Sequence, residues 1–371
     1  MARITVEGLV KRFGSVGAVN GVSFVAEEGG VFALLGPSGC GKTTTLRCIA
    51  GLDHPDEGRI LIGDETVFDA ERRILVPSEK RSIGMVFQSF AIWPHLTVYE
   101  NVAFPLRIRR VPSRDIEKSV REALRGVRME GYERRYPAQL SGGQQQRVVL
   151  ARCLVYRPRV ILLDEPLANL DAKLREEMRA ELRDVQQAFK ITTIYVTHDQ
   201  SEAMALSDQV AVMRDGMILR QGPPRDVFRE PEHPFVADFV GASNLFAGRV
   251  VGHGEGHVEV AVQDWGTLRA AVPSSDPVVG RALTISIRPG HFSLTRMLDR
   301  LSTDRFSTNA WPGVVERVVY LGEAVDCWVR VHGVTLRIRA SSGGDLRAGD
   351  QVVVTVPPHH INLLKHDGSP E

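Results

Sequence analysis

One glycine-rich segment of the sequence carries the residue types that bind phosphate. Residues 36–43 fit the pattern GxxxxGK[ST], directly after an apolar run at 31–35 and before a helix predicted to begin near Lys42. Such glycines let successive backbone N–H groups point at phosphate oxygens, and the following helix N-terminus favours negative charge. Lys42 is suited to the β- and γ-phosphates and Thr43 to Mg²⁺. We therefore predict a nucleotide site formed by Gly36, Pro37, Ser38, Gly39, Cys40, Gly41, Lys42, Thr43 and Thr44. A glycine-rich turn that merely precedes a lysine is the alternative.

A second segment supplies two carboxylates. The aliphatic run at 160–163 reads as a buried strand, and it ends in Asp164 and Glu165. Ligands bind at the carboxyl ends of strands in open α/β sheets. We expect Asp164 to hold Mg²⁺, directly or through water, and Glu165 to orient the attacking water. Strands often end in acidic residues, so Asp164 and Glu165 alone are only a moderate indication of function. Together with the phosphate site at 36–43, they predict nucleotide hydrolysis.

A third segment, Leu140-Ser-Gly-Gly-Gln at 140–144, predicts a helix N-terminus. Ser141 before two glycines is a sensible N-cap, which is the purely structural interpretation. The same geometry also makes a second anion site. Because the chain has only one phosphate cradle, that second site must serve another molecule.

These motifs together resemble the nucleotide-binding subunits of ABC transporters, and the resemblance implies ATP and Mg²⁺ as ligands and a homodimer as the working form. In that family the LSGGQ segment of one copy closes over ATP held in the cradle of the other. A D-loop at 168–171 crosses the interface between the two copies. The residues implied to contact ATP in trans are Ser141, Gly142, Gly143, Gln144 and Asp171.

Three further positions match the family in the expected order. Phe13 lies where an aromatic ring stacks on adenine, although many members have Tyr there. Gln88 matches a glutamine that senses Mg²⁺ and the γ-phosphate, and His198 matches a histidine that contacts the γ-phosphate. Alone, an apolar residue such as Phe13 is usually core, and a histidine at a strand end is usually structural. The resemblance implies Glu165, His198 and Gln88 as catalytic residues, and Thr43, Gln88 and Asp164 as metal ligands.

The pattern of apolar segments predicts how these motifs are positioned. Short apolar strands at 31–35, 160–163 and 192–197 alternate with helical segments such as 172–190, and residues 210–219 read as a hairpin. Such alternation predicts a largely parallel sheet covered on both faces. We predict the α/β P-loop NTPase fold of ABC type over residues 1–240, with a helical subdomain at about 90–158.

After residue 240 the pattern changes to short strands with period-2 alternation. This predicts a β-rich, OB-like domain at 241–371, built as a small barrel or sandwich. Two stretches, 245–262 and 310–339, share a rhythm that suggests a weak duplication, and the tail at 366–371 reads as frayed. The domain resembles the extension of importer ATPases, which implies a role in dimerisation or regulation.

The segment between Phe90 and Phe104 is rich in aromatic residues. One interpretation is a small helical subdomain that buries its own core. The other, from similarity to ABC importers, is a groove that receives a helix of an integral membrane permease subunit, because exposed aromatic patches mark partner sites. That similarity also implies an indirect link to a solute-binding protein.

The composition of the chain limits its class of partner and its location in the cell. The 46 basic and 45 acidic residues give a net charge of +1, which argues against nucleic acid as a partner. No apolar run reaches the ~20 residues that span a bilayer, and no signal-peptide core follows the N-terminus. The four cysteines lack CxxC spacing and read as reduced thiols. These features, with the resemblance, predict a peripheral protein on the cytoplasmic face of the membrane.

The sequence leaves the cargo open. Similar ATPases serve importers of polyamines, ferric iron, sugars and small organic anions, and polyamine, ferric iron or sugar is the preferred set. The main alternative is a soluble ABC-type ATPase in DNA maintenance, which would need long coiled-coil insertions or zinc-binding cysteines between the cradle and residue 141. A small-molecule kinase and a catalytically inactive regulatory subunit are the remaining alternatives.

Overall fold

The structure is a computed structural model that describes residues 2–89, 91–263, 265–272, 278–297, 309–341 and 346–365. Its contacts divide the chain into two units, Met1–Val227 and Phe228–Glu371. The sequence-based domains, 1–240 and 241–371, differ from this division in the segment 228–240 and stay a prediction. The P-loop fold of ABC type and the β-rich C-terminal part are both confirmed.

The first unit alternates strands and helices. Its strands are β1 (Ile4–Phe13), β2 (Val16–Ala26), β3 (Val31–Leu35), β4 (Glu57–Ile62), β5 (Glu65–Asp69), β6 (Ile74–Leu75), β7 (Ile83–Val86), β8 (Val160–Asp164), β9 (Thr192–Thr197), β10 (Gln209–Arg214) and β11 (Met217–Gly222). Its helices are α1 (Lys42–Ala50), α2 (Val98–Ile108), α3 (Ser113–Gly126), α4 (Gly142–Leu154), α5 (Ala172–Phe189) and α6 (Gln200–Leu206). A further helix, α7 (Pro224–Arg229), crosses the division between the units.

A six-stranded sheet holds the predicted chemistry. Its strand order is β11-β10-β3-β9-β8-β7, and every pair is parallel except the β10–β11 hairpin. Strands β3, β8 and β9 are buried along their whole length, as continuous apolar runs in a covered parallel sheet should be. The predicted strands, the α5 helix and the hairpin are therefore confirmed, and the carboxyl ends of β3, β8 and β9 meet at one edge.

An antiparallel sheet at the start of the chain was not predicted from the sequence. This sheet has the order β2-β1-β4-β5-β6, and its apolar side chains share one core with α1 and the parallel sheet. Strand β1 has register shifts and a left-handed Gly8 (φ 54°). Because these bulges interrupt the period-2 alternation, the strand pattern is hard to recognise in the sequence.

The predicted helical subdomain contains α2, α3 and α4. Helix α2 begins with a capping box between Thr97 and Glu100, and α4 begins with one between Ser141 and Gln144. Capping boxes satisfy backbone N–H groups that have no partner inside the helix. Among the described residues, no helix is both long and apolar enough to cross a bilayer.

The aromatic segment before α2 is more buried than a fully exposed wedge would be. Phe90 lies outside the described residues, while Trp93 and Phe104 are half-buried, with ring centroids 4.3 Å apart. The buried Asn101 holds the loop: its amide donates to the Trp93 carbonyl and its oxygen accepts from the Trp93 N–H. The Arg152 guanidinium of α4 lies over the Trp93 ring and donates to the Ala91 carbonyl. The loop is thereby fixed to the helix that begins at the LSGGQ segment.

The second unit is almost entirely β-structure after one helix. That helix is α8 (Pro234–Gly241). The strands are β12 (Asn244–Gly254), β13 (His257–Val262), β14 (Gly266–Ala271), β15 (Ala282–Ile287), β16 (Ser293–Arg296), β17 (Ala310–Tyr320), β18 (Ala324–Val331), β19 (Val334–Ser341), β20 (Gln351–Thr355) and β21 (Ile361–Lys365). They form two five-stranded sheets, β14-β13-β12-β15-β21 and β16-β20-β17-β18-β19, around one core. The predicted frayed tail, 366–371, lies outside the described residues.

The two stretches that share a rhythm in the sequence begin two copies of one strand arrangement. In each copy a three-stranded meander is followed by a fourth strand, a short 3₁₀ helix and a fifth strand. The fifth strand of each copy pairs in the sheet of the other: β16 pairs with β20, and β21 pairs with β15. Neither sheet is complete without a strand from the other copy.

Candidate ATP-binding and hydrolysis site

The cradle at 36–43 joins β3 to α1. Lys42 is buried, and its Nζ donates to the carbonyl oxygens of Gly36 (2.8 Å) and Pro37 (2.9 Å). These contacts hold the lysine head inside the loop. The buried strand behind the loop and the helix N-terminus after it give the arrangement predicted from the sequence.

Two glycines of the cradle are required by its close packing. A Cβ on Gly41 would lie 2.3 Å from the Ala18 carbonyl oxygen, and the residue has φ 102°. A Cβ on Gly36 would lie 2.4 Å from the Met213 carbonyl oxygen. Glycine permits the left-handed backbone at Gly41, and at both positions it leaves room for the close approach of the β2 and β10 carbonyl oxygens.

The next contact brings two sequence motifs together. The Thr43 hydroxyl donates to Asp164 Oδ1 at 2.8 Å, across a sequence gap of 121 residues. Asp164 is buried, and this desolvation raises the pKa of its carboxyl, with the nearby Glu165 charge acting in the same direction. The two oxygens, from Thr43 and Asp164, lie where a negative charge without a partner is unfavourable. Such a site suits a divalent cation.

The donor set fits Mg²⁺ in particular. Mg²⁺ is commonly held by one or two carboxylates together with substrate phosphates and waters, not by an all-protein cage. Among the described residues, no group of three His, Cys, Asp or Glu side chains is placed to hold a metal ion by itself. Thr43 and Asp164 lie beside the phosphate cradle. They match a site in which Mg²⁺ is held by one carboxylate together with substrate phosphates and waters.

The predicted catalytic residues Gln88 and His198 both contact the third one, Glu165. His198 Nδ1 lies 3.0 Å from Glu165 Oε2, and Gln88 Nε2 donates to the same oxygen at 3.4 Å. The Glu165 backbone has φ 44°, an uncommon conformation for a residue with a side chain, and such strain clusters at functional sites. The structure therefore brings Gln88, Asp164, Glu165 and His198 together at one sheet edge, as expected from the ends of parallel strands.

Asn169 makes a contact that the sequence does not predict. Its side-chain amide donates to the Gln88 carbonyl oxygen at 2.8 Å. The D-loop motif at 168–171 includes Asn169 but implies no separate role for it. The contact ties the D-loop to the loop that carries Gln88.

The LSGGQ segment contacts Tyr132 and the first turn of α5. Ser141 caps α4, and the Gln144 amide donates to the Tyr132 hydroxyl at 3.4 Å. A Cβ on Gly143 would lie 2.9 Å from a Leu174 methyl group. Asp171 caps α5 by accepting from the Leu174 N–H at 3.0 Å. The residues predicted to act in trans thus form one surface from two helix N-termini.

Phe13 is 52% exposed at the tip of the β1–β2 hairpin. The Lys11 Nζ lies 5.1 Å from its ring centroid. The second strand of the hairpin reaches the cradle at Ala18, which packs against Gly41. An exposed ring on this hairpin is consistent with the predicted adenine contact.

Comparison with known proteins identifies the family. A family model described as "ABC transporter" matches residues 19–168, and one described as "TOBE domain" matches residues 285–364. The trehalose/maltose import ATP-binding protein MalK of Thermococcus litoralis is 42% identical over 378 residues, which cover 98% of each chain. The chain belongs to the ABC transporter ATP-binding subunits. It is an ATP-binding and ATP-hydrolysing member of that family.

Other relatives of this ATP-binding subunit have different import names. The spermidine/putrescine import ATP-binding protein PotA of Rubrobacter xylanophilus is 41% identical, covering 97% of this chain and 93% of the relative. The Fe(3+) ions import ATP-binding protein FbpC of Photobacterium profundum is 40% identical, covering 98% of each chain. The alternative of a DNA-maintenance ATPase finds no support in these relatives.

Solved structures of ABC proteins resemble the ATPase part of this subunit. CbiO1 from Clostridium perfringens, part of the ABC transporter complex CbiONQ, is 33% identical with a TM-score of 0.56, covering 62% of this chain and 91% of that chain. The ATP-binding cassette MJ0796, in a dimeric post-hydrolysis state bound to ADP and Pi, is 32% identical with a TM-score of 0.51. That match covers 60% of this chain and 99% of the cassette.

Proposed function

We propose that this chain is the motor of a binding-protein-dependent importer, in which two copies close around ATP and drive transport through permease subunits. The observation that carries the proposal is the cluster at the sheet edge, where Thr43 contacts Asp164 and Glu165 contacts both Gln88 and His198. Its position beside the cradle is what hydrolysis of a bound γ-phosphate requires.

We assign each group of this cluster a role. The cradle amides and Lys42 bind the phosphates, and Thr43 and Asp164 hold Mg²⁺, with Gln88 at the edge of the metal site. When bound, Mg²⁺ neutralises charge that develops on the phosphate oxygens. Glu165 accepts a proton from the attacking water, and His198, 3.0 Å away, orients Glu165 and the γ-phosphate. Phe13 stacks on adenine.

We propose that the second phosphate contact comes from another copy of the chain. Ser141 at the exposed N-terminus of α4 and Asp171 at that of α5 form one surface, and helix N-termini attract anions. The MJ0796 cassette, which resembles the ATPase part of this chain, forms a dimer, and this similarity supports a homodimer for this chain as well. ATP then binds between the two copies, and hydrolysis is coupled to their closure.

The proposed partners follow from the import names of the relatives. We place the chain at the cytoplasmic face of the membrane, bound to integral permease subunits near residues 90–104 and linked through them to a solute-binding protein. The loop held by Asn101 and Arg152 supports this docking position, because it connects the segment after Gln88 with the helix that begins at Ser141. Movement at the nucleotide can thereby reach the partner.

The cargo belongs to the classes carried by the relatives: polyamine, ferric iron or sugar. Relatives named for the three classes are 40–45% identical to this chain, and this narrow range does not decide among them. Co-purification from native membranes, with identification of the permease and the solute-binding protein, decides among the three. Recovery without any permease would contradict the importer assignment.

The hydrolysis assignment is tested by Glu165→Gln. The amide cannot accept the proton of the attacking water, so we expect ATP binding to persist and turnover to fall by about 10²–10⁴-fold. The variant should also accumulate an ATP-bound dimer, measured by size-exclusion chromatography with ATP and Mg²⁺. Turnover at the wild-type rate would remove Glu165 from the role of base.

The trans contact is tested by Ser141→Arg. A large cation at the tip of α4 fills the space proposed for the partner's γ-phosphate, so we expect normal ATP binding to the monomer and no ATP-dependent dimer. Combining it with Glu165→Gln gives the sharpest readout, because that background otherwise traps the dimer. Persistence of the trapped dimer would contradict the trans assignment.

A further inference from the structure

A buried carboxylate lies directly behind the loop that carries His198. The Glu202 side chain is 4% exposed, and its Oε2 accepts from the Tyr195 hydroxyl at 2.9 Å and the Thr197 hydroxyl at 2.7 Å. Both donors lie on β9, which ends immediately before His198. Glu202 therefore fixes the end of the strand from which the histidine loop departs.

An arginine on the first turn of α5 connects that carboxylate with the D-loop. Arg175 Nη2 donates to the Leu170 carbonyl oxygen at 3.0 Å. Its guanidinium also lies 3.6 Å from Asp199 Oδ2 and 3.9 Å from Glu202 Oε1. One side chain thus contacts the D-loop, the residue after His198 and the buried carboxylate.

The chemistry of this contact requires an arginine. A guanidinium presents five N–H donors in a rigid fork, whereas a lysine ammonium is a flexible point charge. The arginine is two-thirds buried, with 31% of its side chain exposed, and its removal would leave Glu202 buried without its counter-charge. Breaking one partner of a buried ion pair is costly because the remaining charge is uncompensated.

We propose that Arg175 and Glu202 are positioning residues that make the D-loop and the His198 loop move as one body. The proposal rests on the proposed function, in which His198 faces the nucleotide held by its own chain and Asp171 faces the nucleotide held by the partner. Rearrangement of the His198 loop at one site then shifts the Asp171 side chain toward or away from the other site. The two ATP sites of the dimer are coupled through this link within each chain.

The test compares Arg175→Ala with Arg183→Ala. Arg183 is a matched control on the same helix: it is 29% exposed, pairs with Asp208 at 2.7 Å and donates to the Leu206 carbonyl, without a contact to the D-loop. We measure ATP affinity, kcat, KM and the Hill coefficient for ATP. For Arg175→Ala we expect ATP affinity within about twofold of wild type and kcat lowered about 10- to 100-fold, the size of effect that a small misplacement of reacting groups produces.

The Hill coefficient distinguishes coupling from a general loss of structure. We expect it to fall toward one in Arg175→Ala and to stay at the wild-type value in Arg183→Ala. Arg175→Lys should restore folding but not the Hill coefficient, because an ammonium cannot reach all three acceptors, so this variant keeps the test valid if Arg175→Ala does not fold. Glu202→Gln keeps an oxygen acceptor for Tyr195 and Thr197 and should give an intermediate value.

A second measurement asks whether Arg175 acts through the D-loop. If it does, Asp171→Ala and Arg175→Ala should lower kcat non-additively when combined. Additive effects, an equal loss in the Arg183 control, or an unchanged Hill coefficient in Arg175→Ala would overturn the inference. A wild-type protein that hydrolyses ATP without cooperativity as a monomer would instead overturn the proposed function.

Discussion

The site depends on a few side chains whose environment is unusual for their type. Asp164 is buried with a raised pKa, Glu165 has a left-handed backbone, and Lys42 is buried in a loop of carbonyl oxygens. Each arrangement costs free energy in the folded protein, and such costs are typical of groups held ready for a charged ligand. We expect a bound nucleotide with Mg²⁺ to offset these costs by supplying compensating charges.

A pair of stacked histidines in the second unit gives a pH-dependent stability. The rings of His291 and His360 are 4.0 Å apart, one on each of the two equivalent 3₁₀ helices. Desolvation lowers the pKa of both histidines. The charges of His360, Arg288 and His359 lower the pKa of His291 further, and the charge of His359 lowers that of His360. Their contribution is fully present above the ordinary pKa of 6.5 and is lost as pH falls through the lowered values.

We therefore expect the free energy of unfolding of the second unit to fall between about pH 7 and pH 5. The measurement is urea unfolding followed by tryptophan fluorescence at several pH values. His360→Gln should flatten this dependence, while His54→Gln, at an exposed position in the first unit, should leave it unchanged. A pH dependence that survives replacement of both His291 and His360 would contradict the assignment.

The ends of helices and strands, more than their middles, form the proposed site. Ser141 and Asp171 cap two helices whose N-termini lie together, and β3, β8 and β9 end at the same edge. In the second unit, β16 and β21 each complete the sheet of the other copy. An exchange of this kind links the folding of the two copies, because each sheet takes one of its edge strands from the other copy.

The first strand of each copy carries a glycine at the same place in the pattern. A Cβ on Gly313 would lie 2.8 Å from Val329 Cγ1 and 3.1 Å from the Arg330 carbonyl oxygen, and a Cβ on Gly248 would lie 2.8 Å from Ile285 and Val260 methyl groups. Both glycines let β12 and β17 approach their neighbours closely. The equivalence supports the duplication suggested by the sequence.

We expect Gly313→Ala to lower the free energy of unfolding by about 1–3 kcal/mol, the usual cost of overpacking. Gly290→Ala is the matched control, because a Cβ there meets no heavy atom within 4 Å and its φ is ordinary. Its effect should stay within about 0.5 kcal/mol. Urea unfolding measures both, and equal losses in the two variants would refute the packing argument.

At the scale of the whole molecule, the described residues include a hydrophobic core in each of the two units. One joins the antiparallel sheet, α1 and the parallel sheet, and the other fills the C-terminal unit around Trp265 and Trp311. The described residues that we propose to contact ATP in cis all belong to the first unit. Nucleotide binding should therefore stabilise that unit.

We expect ATP with Mg²⁺ to raise the unfolding temperature of the first unit in the Glu165→Gln variant. At a ligand concentration 100 times Kd, the gain is about 2.7 kcal/mol. Differential scanning calorimetry with and without nucleotide measures the shift, and the added change Lys42→Ala should abolish it. A shift that persists without Lys42 would place the nucleotide elsewhere.

The sequence alone predicted most of the ATPase fold and the residues of the candidate site. The cradle, the Asp164–Glu165 pair and the LSGGQ segment are local motifs, and each depends on residue types at fixed short spacing next to a recognisable strand or helix. Buried parallel strands are continuous apolar runs, so β3, β8 and β9 could be located accurately. The bulged strand β1 could not, because Gly8 and the register shifts break its alternation.

The sequence therefore located the residues proposed to bind phosphate and the elements that carry them, because those properties depend on neighbours along the chain. Tertiary structure decided which distant groups meet: Asn169 with the Gln88 carbonyl, Arg175 with Leu170 and Asp199, and β21 with β15. Such contacts depend on how the sheet brings separate loops to one edge, and long-range proximity has no signal in the spacing of residues in one chain.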